Sequence, residues 1–429
     1  MNINKLLVII CAALLLSCDK NGNNPTVDEP NNDVVVTEGN IVEHAFTRGD
    51  VAPLTVALSE KEGDVFESGY AFATGLFEKA ASTADAGNVC ISPFSIQTIL
   101  GILSNGLKDE YADKIMEVML GQGTAVQDMN SGYGKLSHAL EATNCVRLSN
   151  ALWLQEGNRF NDDFLTIGRG TYHSTVKNLD FKLAPQSAMD TICQWAYDNS
   201  YGRLDRLGLK ELGSNTVMVL GNLIWFSSAW ISPFDTAKTI VGEFTLADGS
   251  VKEVDMMCKT DYMDYKVLDK YRVVSLPFEN RSFRMDLFVP NDGYTLDEVI
   301  PEIDWSAIPD FDGCVMPSDK VALQMPKFSA DYNADVRALL EDCGMSELFN
   351  VGVFDRMTDQ DNDAHIDELK QNIQIKVQEG GVEAVAATVA SYVSRGESYD
   401  FKIDRPFAFA IRDNSVGSFL FMGRINSID

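Results

Sequence analysis

Positive charge is scarce in this 429-residue chain. The chain carries 35 lysine and arginine residues against 63 aspartate and glutamate residues, which gives a formal net charge of -28 at neutral pH. Because nucleic-acid phosphates are bound by clustered basic side chains, this balance argues against a nucleic-acid partner, and it also disfavours a heparin-like cofactor. The acidic surface gives basic proteins only a weak attraction that salt screens.

The sequence also lacks the local signatures of catalytic and metal sites. Its four histidines, His44, His138, His173 and His365, form no H-E-x-x-H pattern, and neither a G-x-S-x-G elbow nor a P-loop occurs. The cysteines beyond residue 18 form no C-x-x-C pair, which argues against a zinc site. We expect free thiols that act as small apolar groups at Cys90, Cys145, Cys193, Cys258, Cys314 and Cys343. The sequence thus predicts no enzyme, no cofactor and no metal.

The apolar run at the amino terminus, Leu6 to Leu16, is too short to span a bilayer as a stable helix and suits the core of a signal peptide. It ends in Leu15-Leu16-Ser17-Cys18, which resembles a bacterial lipobox in which Cys18 becomes the lipid-bearing first residue. An ordinary secretory signal with a chance cysteine is the alternative. We therefore expect residues 1–18 to be a lipoprotein signal peptide that lies outside the fold. The protein is expected to be exported and anchored by lipid to a bacterial outer membrane or cell surface.

Residues 19–55 have the composition of a tether. They are polar, rich in Asn, Asp and Pro, and without periodic apolar positions in their first half. A flexible segment of roughly thirty residues reaches on the order of 30 Å, enough to hold a domain clear of lipid. Arg48-Gly49-Asp50 could mimic an adhesion tripeptide, although a chance occurrence in a polar linker explains it more simply. The remaining residues, 56–429, are expected to form one domain.

The rest of the chain mixes helical and strand-like patterns. Apolar residues recur at helical spacing in Val65 to Ala81 and in Ala334 to Leu340, whereas the sequence from Leu212 onward is typical of a buried strand. Val267 to Pro290 predicts a meander with a turn at Asn280. This order of elements indicates an α+β fold.

The most informative segment is Glu379 to Phe407. A pair of glycines, Gly380 and Gly381, is followed by a run from Ala384 to Ser394 that carries no charge. On composition alone an Ala-rich helix is favoured, and the alternative is a segment that extends a sheet.

A resemblance to the serpin family favours the sheet. Glu379 to Thr388 resembles the hinge of a serpin reactive-centre loop, and Asp404 to Phe407 resembles the strand after it. The hinge residues are Glu379, Gly380, Gly381, Val382, Glu383, Ala384, Val385, Ala386, Ala387 and Thr388. Further segments match the family in order, namely Asn88 to Ile96, Leu148 to Trp153, Asn222 to Phe234, Leu287 to Pro290, Pro326 to Phe328 and Phe421 to Arg424. The resemblance implies one α+β domain of three sheets and about nine helices, with an exposed loop, acting as a monomer.

The resemblance also implies a cleaved bond. In serpins this residue lies sixteen positions after the hinge glutamate and eleven before the proline, and both counts lead to Arg395, so the bond joins Arg395 to Gly396. An arginine there suits trypsin-like serine proteases, whose primary pocket ends in a carboxylate. The implied function is a covalent suicide inhibitor of such proteases. Cleavage after Tyr392 or Val393 would redirect specificity, and the alternatives are inhibition of Arg-cleaving cysteine proteases or a non-inhibitory, tethered binding protein.

In this mechanism the segment from Glu379 to Arg395 inserts into the main sheet after attack. Counting by twos, Val382, Ala384, Ala386, Thr388 and Ala390 share one face, are small or β-branched, and carry no charge. The resemblance places the sheet-opening region at Ser92, Ser95, Cys193 and Gln371. Serpins commonly carry Asn where Cys193 stands and His where Gln371 stands, so a rearranged contact between Gln371 and Ser92 or Ser95 is expected.

Overall fold

A computed structural model describes the backbone of residues 5–12 and, in addition, residues 50–83, 87–200, 204, 212–306, 320–358, 364–382 and 398–428. Over these ranges the chain forms helices packed on three separate sheets, so the predicted α+β class and the three sheets are confirmed. Eight α-helices lie within the described ranges. They are α1 Glu60–Thr83, α2 Pro93–Ser104, α3 Asp109–Leu120, α4 Val126–Ala142, α5 Asp162–Gly170, α6 Pro185–Asn199, α7 Leu296–Val299 and α8 Val336–Leu340.

Eighteen strands accompany the helices in the same ranges. They are β1 Lys5–Ala12, β2 Val89–Ile91, β3 Val146–Gln155, β4 Thr175–Leu179, β5 Thr216–Phe226, β6 Ser228–Ala229, β7 Ile240–Thr245, β8 Val251–Tyr262, β9 Asp264–Val267, β10 Tyr271–Pro277, β11 Phe283–Pro290, β12 Lys320–Pro326, β13 Phe328–Asp335, β14 His365–Gln378, β15 Gly381–Val382, β16 Tyr399–Lys402, β17 Phe407–Asp413 and β18 Phe419–Ile425. The predicted meander is the antiparallel pair β10 and β11, which is joined through Asn280.

The helix α2 runs through the centre of the molecule. All of its residues are buried, because its sequence is apolar on every side rather than on one stripe. It begins where Ser92 caps the first turn by accepting a hydrogen bond from the Ser95 backbone N–H, and Pro93 occupies the first turn, where no N–H is needed. This helix packs against β5 and β18 and so links two of the sheets.

The largest sheet has eight strands in the order β4-β3-β5-β1-β14-β15-β6, with β13 also paired to β14. Every residue of β5 is buried, as its continuous apolar sequence predicts for a strand covered on both faces. In β14 the residues Leu369, Gln371, Ile373, Ile375 and Val377 are buried and alternate with half-exposed neighbours. One face of β14 therefore points into the core.

The strand β1 lies between β5 and β14 and pairs parallel with both. In the chain that retains residues 1–18, this placement differs from the expectation that these residues lie outside the fold. After Lys5 the strand is an apolar run rich in Leu, Val and Ile, which suits a strand, and the facing edges of β5 and β14 supply its backbone partners. The space between β5 and β14 thus admits one further strand. Removal of this segment during export remains a prediction.

The other two sheets are antiparallel except at one pair. The six-stranded sheet has the order β2-β18-β17-β11-β10-β9, and the four-stranded sheet has the order β16-β12-β8-β7. The strands β12 and β16 are parallel. Strand β16 begins at Tyr399, immediately after the loop that the sequence assigns to protease recognition, so the four-stranded sheet fixes the far end of that loop.

Two predicted boundaries are corrected by the structure. The tether was expected to reach residue 55, but the Ala52 and Leu54 backbone N–H groups donate to Thr143 O and Ser282 Oγ, and Val51 already packs on the core. The body of the domain therefore begins by residue 51. The helix expected from Ala334 begins at Val336, because β13 continues to Asp335, whose side chain caps the helix by accepting from the Ala338 N–H.

Within the described residues, none of the helices combines the length and apolarity needed to cross a membrane. The same ranges hold no group of three or more His, Cys, Asp or Glu side chains placed to bind a metal ion. Cys90, Cys258 and Cys343 are free thiols, and burial raises the pKa of Cys90 well above its usual range.

Candidate functional site

The hinge begins as a tight reversal at the end of β14. After Gln378 the chain turns through Glu379 and Gly380, and Gly381 and Val382 return as β15 antiparallel to β14. The loop containing Trp230 holds this turn, because the Trp230 backbone N–H donates to Gly380 O at 2.9 Å and its indole Nε1 donates to Gln378 O at 3.0 Å. The ring of Trp230 stacks on Phe278 at 4.7 Å. The backbone of the turn is thereby tied to a buried aromatic pair.

The side chain of Glu379 anchors the reversal. Its carboxylate accepts a hydrogen bond from Thr239 Oγ1 at 2.7 Å and lies 2.9 Å from Lys327 Nζ, while its backbone carbonyl accepts from the Phe234 N–H. Burial acts to raise the pKa of Glu379, but the hydrogen bonds from Lys327 and Thr239 outweigh it and hold this pKa below its usual value. The carboxylate is therefore ionised at neutral pH, and the base of the loop is fixed by an ion pair.

Two hinge residues already form part of the sheet. Val382 is fully buried and pairs with Val377 on one side and with Ser228 on the other. Gly381 has φ of 150°, and a Cβ there would collide with the Ser228 carbonyl oxygen, so the close approach to β6 requires glycine. The residues after the turn thus lie between β14 and β6, the short strand that continues the line of β5.

This pairing fixes where a longer insertion would end. Val377 pairs with Val382, and in an antiparallel pair each step back along β14 corresponds to one step forward along the loop. His365, the first residue of β14, lies twelve residues before Val377 and would therefore face Ser394, twelve residues after Val382. Counting from Ser228 along β5 in the same way brings Thr216 opposite the same residue, Ser394. Without a bulge, the space for an inserted strand ends one residue before Arg395.

The strand β1 provides an independent measure of that space. Its ends pair with His365 and Ile373 of β14 and with Thr216 and Ile224 of β5. These are the partners that the loop residues from Ala386 to Ser394 would take by the counts above. The parallel strand β1 and the antiparallel loop would thus compete for the same backbone partners.

The alternation of β14 also determines which loop side chains would be buried. Directly opposed residues of an antiparallel pair lie on the same face of a sheet. Ala384, Ala386 and Ala390 would therefore join Val382 on the face that carries Ile375, Ile373 and Leu369, all of them buried. Thr388 would come opposite Gln371 on β14 and Asn222 on β5.

A buried polar cluster lies beneath that position. Gln371 accepts a hydrogen bond from the Ser92 N–H at 2.9 Å and donates to Ser92 O at 3.2 Å, so it reaches the segment that caps α2. Ser95 Oγ donates to Asn222 Oδ1, and Asn222 Nδ2 donates to Asn150 Oδ1 at 2.7 Å. Ser92, Ser95, Asn222 and Gln371 are all at most 1% exposed. The cluster connects α2 to β5 and to β14, the two strands between which β1 lies.

The structure brings together three of the four residues expected in the sheet-opening region, which are Ser92, Ser95 and Gln371. Cys193, the fourth, lies half-buried on α6. Of the expected hinge, Glu379 to Val382 are described. Glu383 to Thr388, the bond between Arg395 and Gly396, and the lipidation residue Cys18 lie outside the described residues.

Sequence reasoning missed several contributors to this site. Lys327, Thr239 and Trp230 hold the hinge, and Asn150 completes the polar cluster. Lys327 and Trp230 lie inside segments that matched the family, which was the available signal. Asn150 also lies inside such a segment, Leu148 to Trp153. Thr239 contacts Glu379, 140 residues away in sequence, and no local pattern indicates that pair.

Comparisons with known proteins show which family the chain is similar to. A family model described as "Serpin (serine protease inhibitor)" matches residues 67–428. Human glia-derived nexin is 27% identical over 361 residues, which cover 82% of this chain and 90% of the relative. Leukocyte elastase inhibitor of Xenopus tropicalis is 28% identical over 369 residues, which cover 83% of this chain and 97% of the relative.

Solved structures show the same fold. Native tengpin, a thermophilic serpin, superposes with a TM-score of 0.74 at 23% identity and covers 89% of this chain and 98% of its own. Native protease nexin-1, solved with heparin, gives a TM-score of 0.71 at 25% identity and covers 86% of this chain and 100% of its own.

Proposed function

Since the chain belongs to the serpin family, whose members are inhibitors rather than catalytic enzymes, we propose that it is a covalent suicide inhibitor of trypsin-like serine proteases. The target attacks the carbonyl carbon of Arg395 and expels the amine of Gly396, so that an ester joins the protease serine to Arg395. The loop from Val382 onward then completes its insertion between β5 and β14. The protease is carried along and distorted before water can hydrolyse the ester.

The observation that carries this proposal is the pairing of Val382 with both Val377 and Ser228. This pairing supports the proposal because Val382 is the residue from which further insertion of the loop would continue. Continued in register, the strand runs out of partners at Ser394, so the neighbouring Arg395 reaches the far end of the sheet with its ester. The register therefore supports the bond that the motif count selects.

The energy available from insertion is large enough for this role. Residues 383–394 would form on the order of ten new backbone hydrogen bonds at about 1 kcal/mol each. The total is comparable with the roughly 5–15 kcal/mol stability of a whole domain. The inward-facing residues Ala384, Ala386 and Ala390 add no charge, and the hydroxyl of Thr388 comes level with the polar side chains of Gln371 and Asn222. None of these four inward-facing loop residues carries a charge that would oppose burial.

The fixed positive charge of Arg395 selects the target class. A planar guanidinium pairs with a carboxylate through two parallel hydrogen bonds, which is the arrangement that the primary pocket of trypsin offers. The proposal is tested in the chain that lacks residues 1–18, by comparing its Arg395→Ala variant with the same chain carrying Arg395. Trypsin should be inhibited at least a hundredfold more slowly by the variant, and an unchanged rate would contradict the assignment of Arg395.

We also propose that the domain is displayed on a bacterial membrane through lipid on Cys18. The support is the lipobox-like end of the apolar run and a polar segment that reaches the body of the domain by residue 51. Metabolic labelling with a radioactive fatty acid tests this proposal, because label should enter the unaltered chain and be lost in Cys18→Ala. Equal labelling of both chains would contradict it.

A further inference from the structure

Aromatic side chains gather at the end of the four-stranded sheet that faces the reactive-centre loop. Strand β16 begins at Tyr399, β12 begins at Lys320 and β8 ends at Tyr262. Lys320 pairs with Tyr262, and the next residue of β12 pairs with Tyr399, so the three strand ends are level. Tyr265 from the neighbouring β9 stacks on Tyr399, with ring centroids 4.6 Å apart and an angle of 17° between the rings. We call Tyr262, Tyr265, Tyr399 and Lys320 the loop-end aromatic surface.

These rings are accessible at the edge of the core, against which Tyr265 and Tyr399 pack. The side chain of Tyr262 is 46% exposed, while Tyr265 and Tyr399 are half-buried. Lys320 Nζ lies 5.5 Å from the centre of the Tyr262 ring, a cation–π contact that holds the ring against the sheet. The neighbouring Val267 is 52% exposed. Rigid tyrosines with one apolar face in solvent are the side chains most enriched among residues that dominate protein–protein binding energy.

The distance to the cleaved bond decides what can cover this surface. Tyr399 follows Arg395 by four residues, so even a fully extended chain separates their Cα atoms by at most about 14 Å. A standard protein interface buries about 800 Å² on each partner, which corresponds to a disc with a radius of about 16 Å. A protease that holds the Arg395 to Gly396 bond in its cleft must therefore extend over Tyr399.

We propose that the loop-end aromatic surface is a second contact surface for the target protease, beside the bond that it cleaves. This inference rests on the proposed function, and it names what that function leaves open, namely how the inhibitor binds its target beyond Arg395. The rim of the protease packs on Tyr262 and on the stacked pair Tyr265 and Tyr399. The contact lengthens the life of the first, noncovalent complex and so raises the rate at which the ester forms.

The test is made in the chain that lacks residues 1–18, and it combines Tyr262→Ala with Tyr265→Ala. Tyr399 is kept, because it is close enough to the bond to enter the cleft itself. Tyr111→Ala on α3 is the matched control, since it removes a partly buried tyrosine from the helical layer. Thermal melting of each variant establishes that it folds. Two quantities are measured with trypsin, the second-order rate of inhibition and the dissociation constant for trypsin whose catalytic serine is replaced by alanine.

The double variant should inhibit trypsin at least tenfold more slowly than the same chain without the substitutions, and it should bind inactive trypsin at least tenfold more weakly. Tyr111→Ala should change both quantities by less than twofold. Values for the double variant within twofold of the unaltered chain would overturn the inference. Binding to inactive trypsin needs neither an ester nor loop insertion. The contact surface can therefore fail while covalent inhibition stands, and inhibition can fail while the aromatic variants still weaken binding.

Discussion

Val382 provides the sharpest test of the hinge, because it is the last described residue of the loop and is fully buried between Val377 and Ser228. In Val382→Glu a carboxylate takes the place of an apolar side chain in a strand that must stay paired on both sides. Lys327, the cation at the base of the hinge, is already paired with Glu379. The new carboxylate must therefore be buried without a partner or pull the strand out of the sheet.

The magnitude follows from two opposing quantities. An uncompensated buried charge costs about 3–5 kcal/mol, whereas the whole insertion gains roughly ten hydrogen bonds at about 1 kcal/mol each. If the variant strand is pulled out of the sheet before cleavage, its re-entry must bury the charge, and a barrier increase of about 3 kcal/mol slows insertion by roughly a hundredfold. Hydrolysis of the ester then wins over insertion, and the protein becomes a substrate that is cleaved after Arg395.

The assay is titration of a known amount of trypsin. The number of inhibitor molecules consumed for each protease molecule inactivated should rise at least tenfold in Val382→Glu, and denaturing gels should show cleaved protein in place of the covalent complex. Val382→Thr, which keeps the branched shape, and Glu383→Gln, on the opposite face by alternation, are the matched controls and should inhibit normally. A Val382→Glu protein that inhibits with unaltered stoichiometry would refute the reasoning.

Three further outcomes are expected. Glu379→Gln removes the ion pair with Lys327. Because the pKa of this carboxylate is lowered in the folded chain, the stabilisation it gives is full above about pH 4.3 and is lost as the pH falls further. The melting temperatures of variant and parent should therefore differ at pH 7 and converge in acid, and equal melting at pH 7 would contradict this. Gln371→Ala removes both hydrogen bonds to the Ser92 backbone and should lower the free energy of unfolding, measured by urea titration, by about 2 kcal/mol. A loss below about 0.5 kcal/mol would show that the polar cluster does not stabilise the sheet. A chain that retains Lys5–Ala12, the residues of β1, should be cleaved by trypsin without forming a stable complex, and efficient trapping by that chain would show that β1 does not block insertion.

Local patterns predicted those parts of the molecule in which residues near in sequence determine the structure. The helical spacing around Val65 to Ala81 lies within α1, and the buried strand expected after Leu212 is β5. The hinge was recognised because glycines and small side chains are required at a fixed spacing, and Glu379 to Val382 do form the reversal into the sheet. The family resemblance was needed there, because composition alone favoured an Ala-rich helix.

The remainder depends on contacts between distant residues. The extended segment after residue 50 packs on the body through Thr143 and Ser282, and its sequence has neither a helical nor an alternating pattern that would reveal this. The polar cluster joins Ser95 to Asn222 across 127 residues, and a buried serine or asparagine looks the same in sequence as an exposed one. The position of β1 depends on two free strand edges that only the assembled sheet creates.

The most direct measurement mixes the chain lacking residues 1–18 with an equal amount of trypsin and resolves the products on a denaturing gel, with mass analysis of the released peptide. The account predicts a complex of the summed mass that survives denaturant, together with a carboxyl-terminal peptide that begins at Gly396. Complete cleavage without a complex, or a complex whose peptide begins elsewhere, would contradict the claim that this chain traps its target at Arg395.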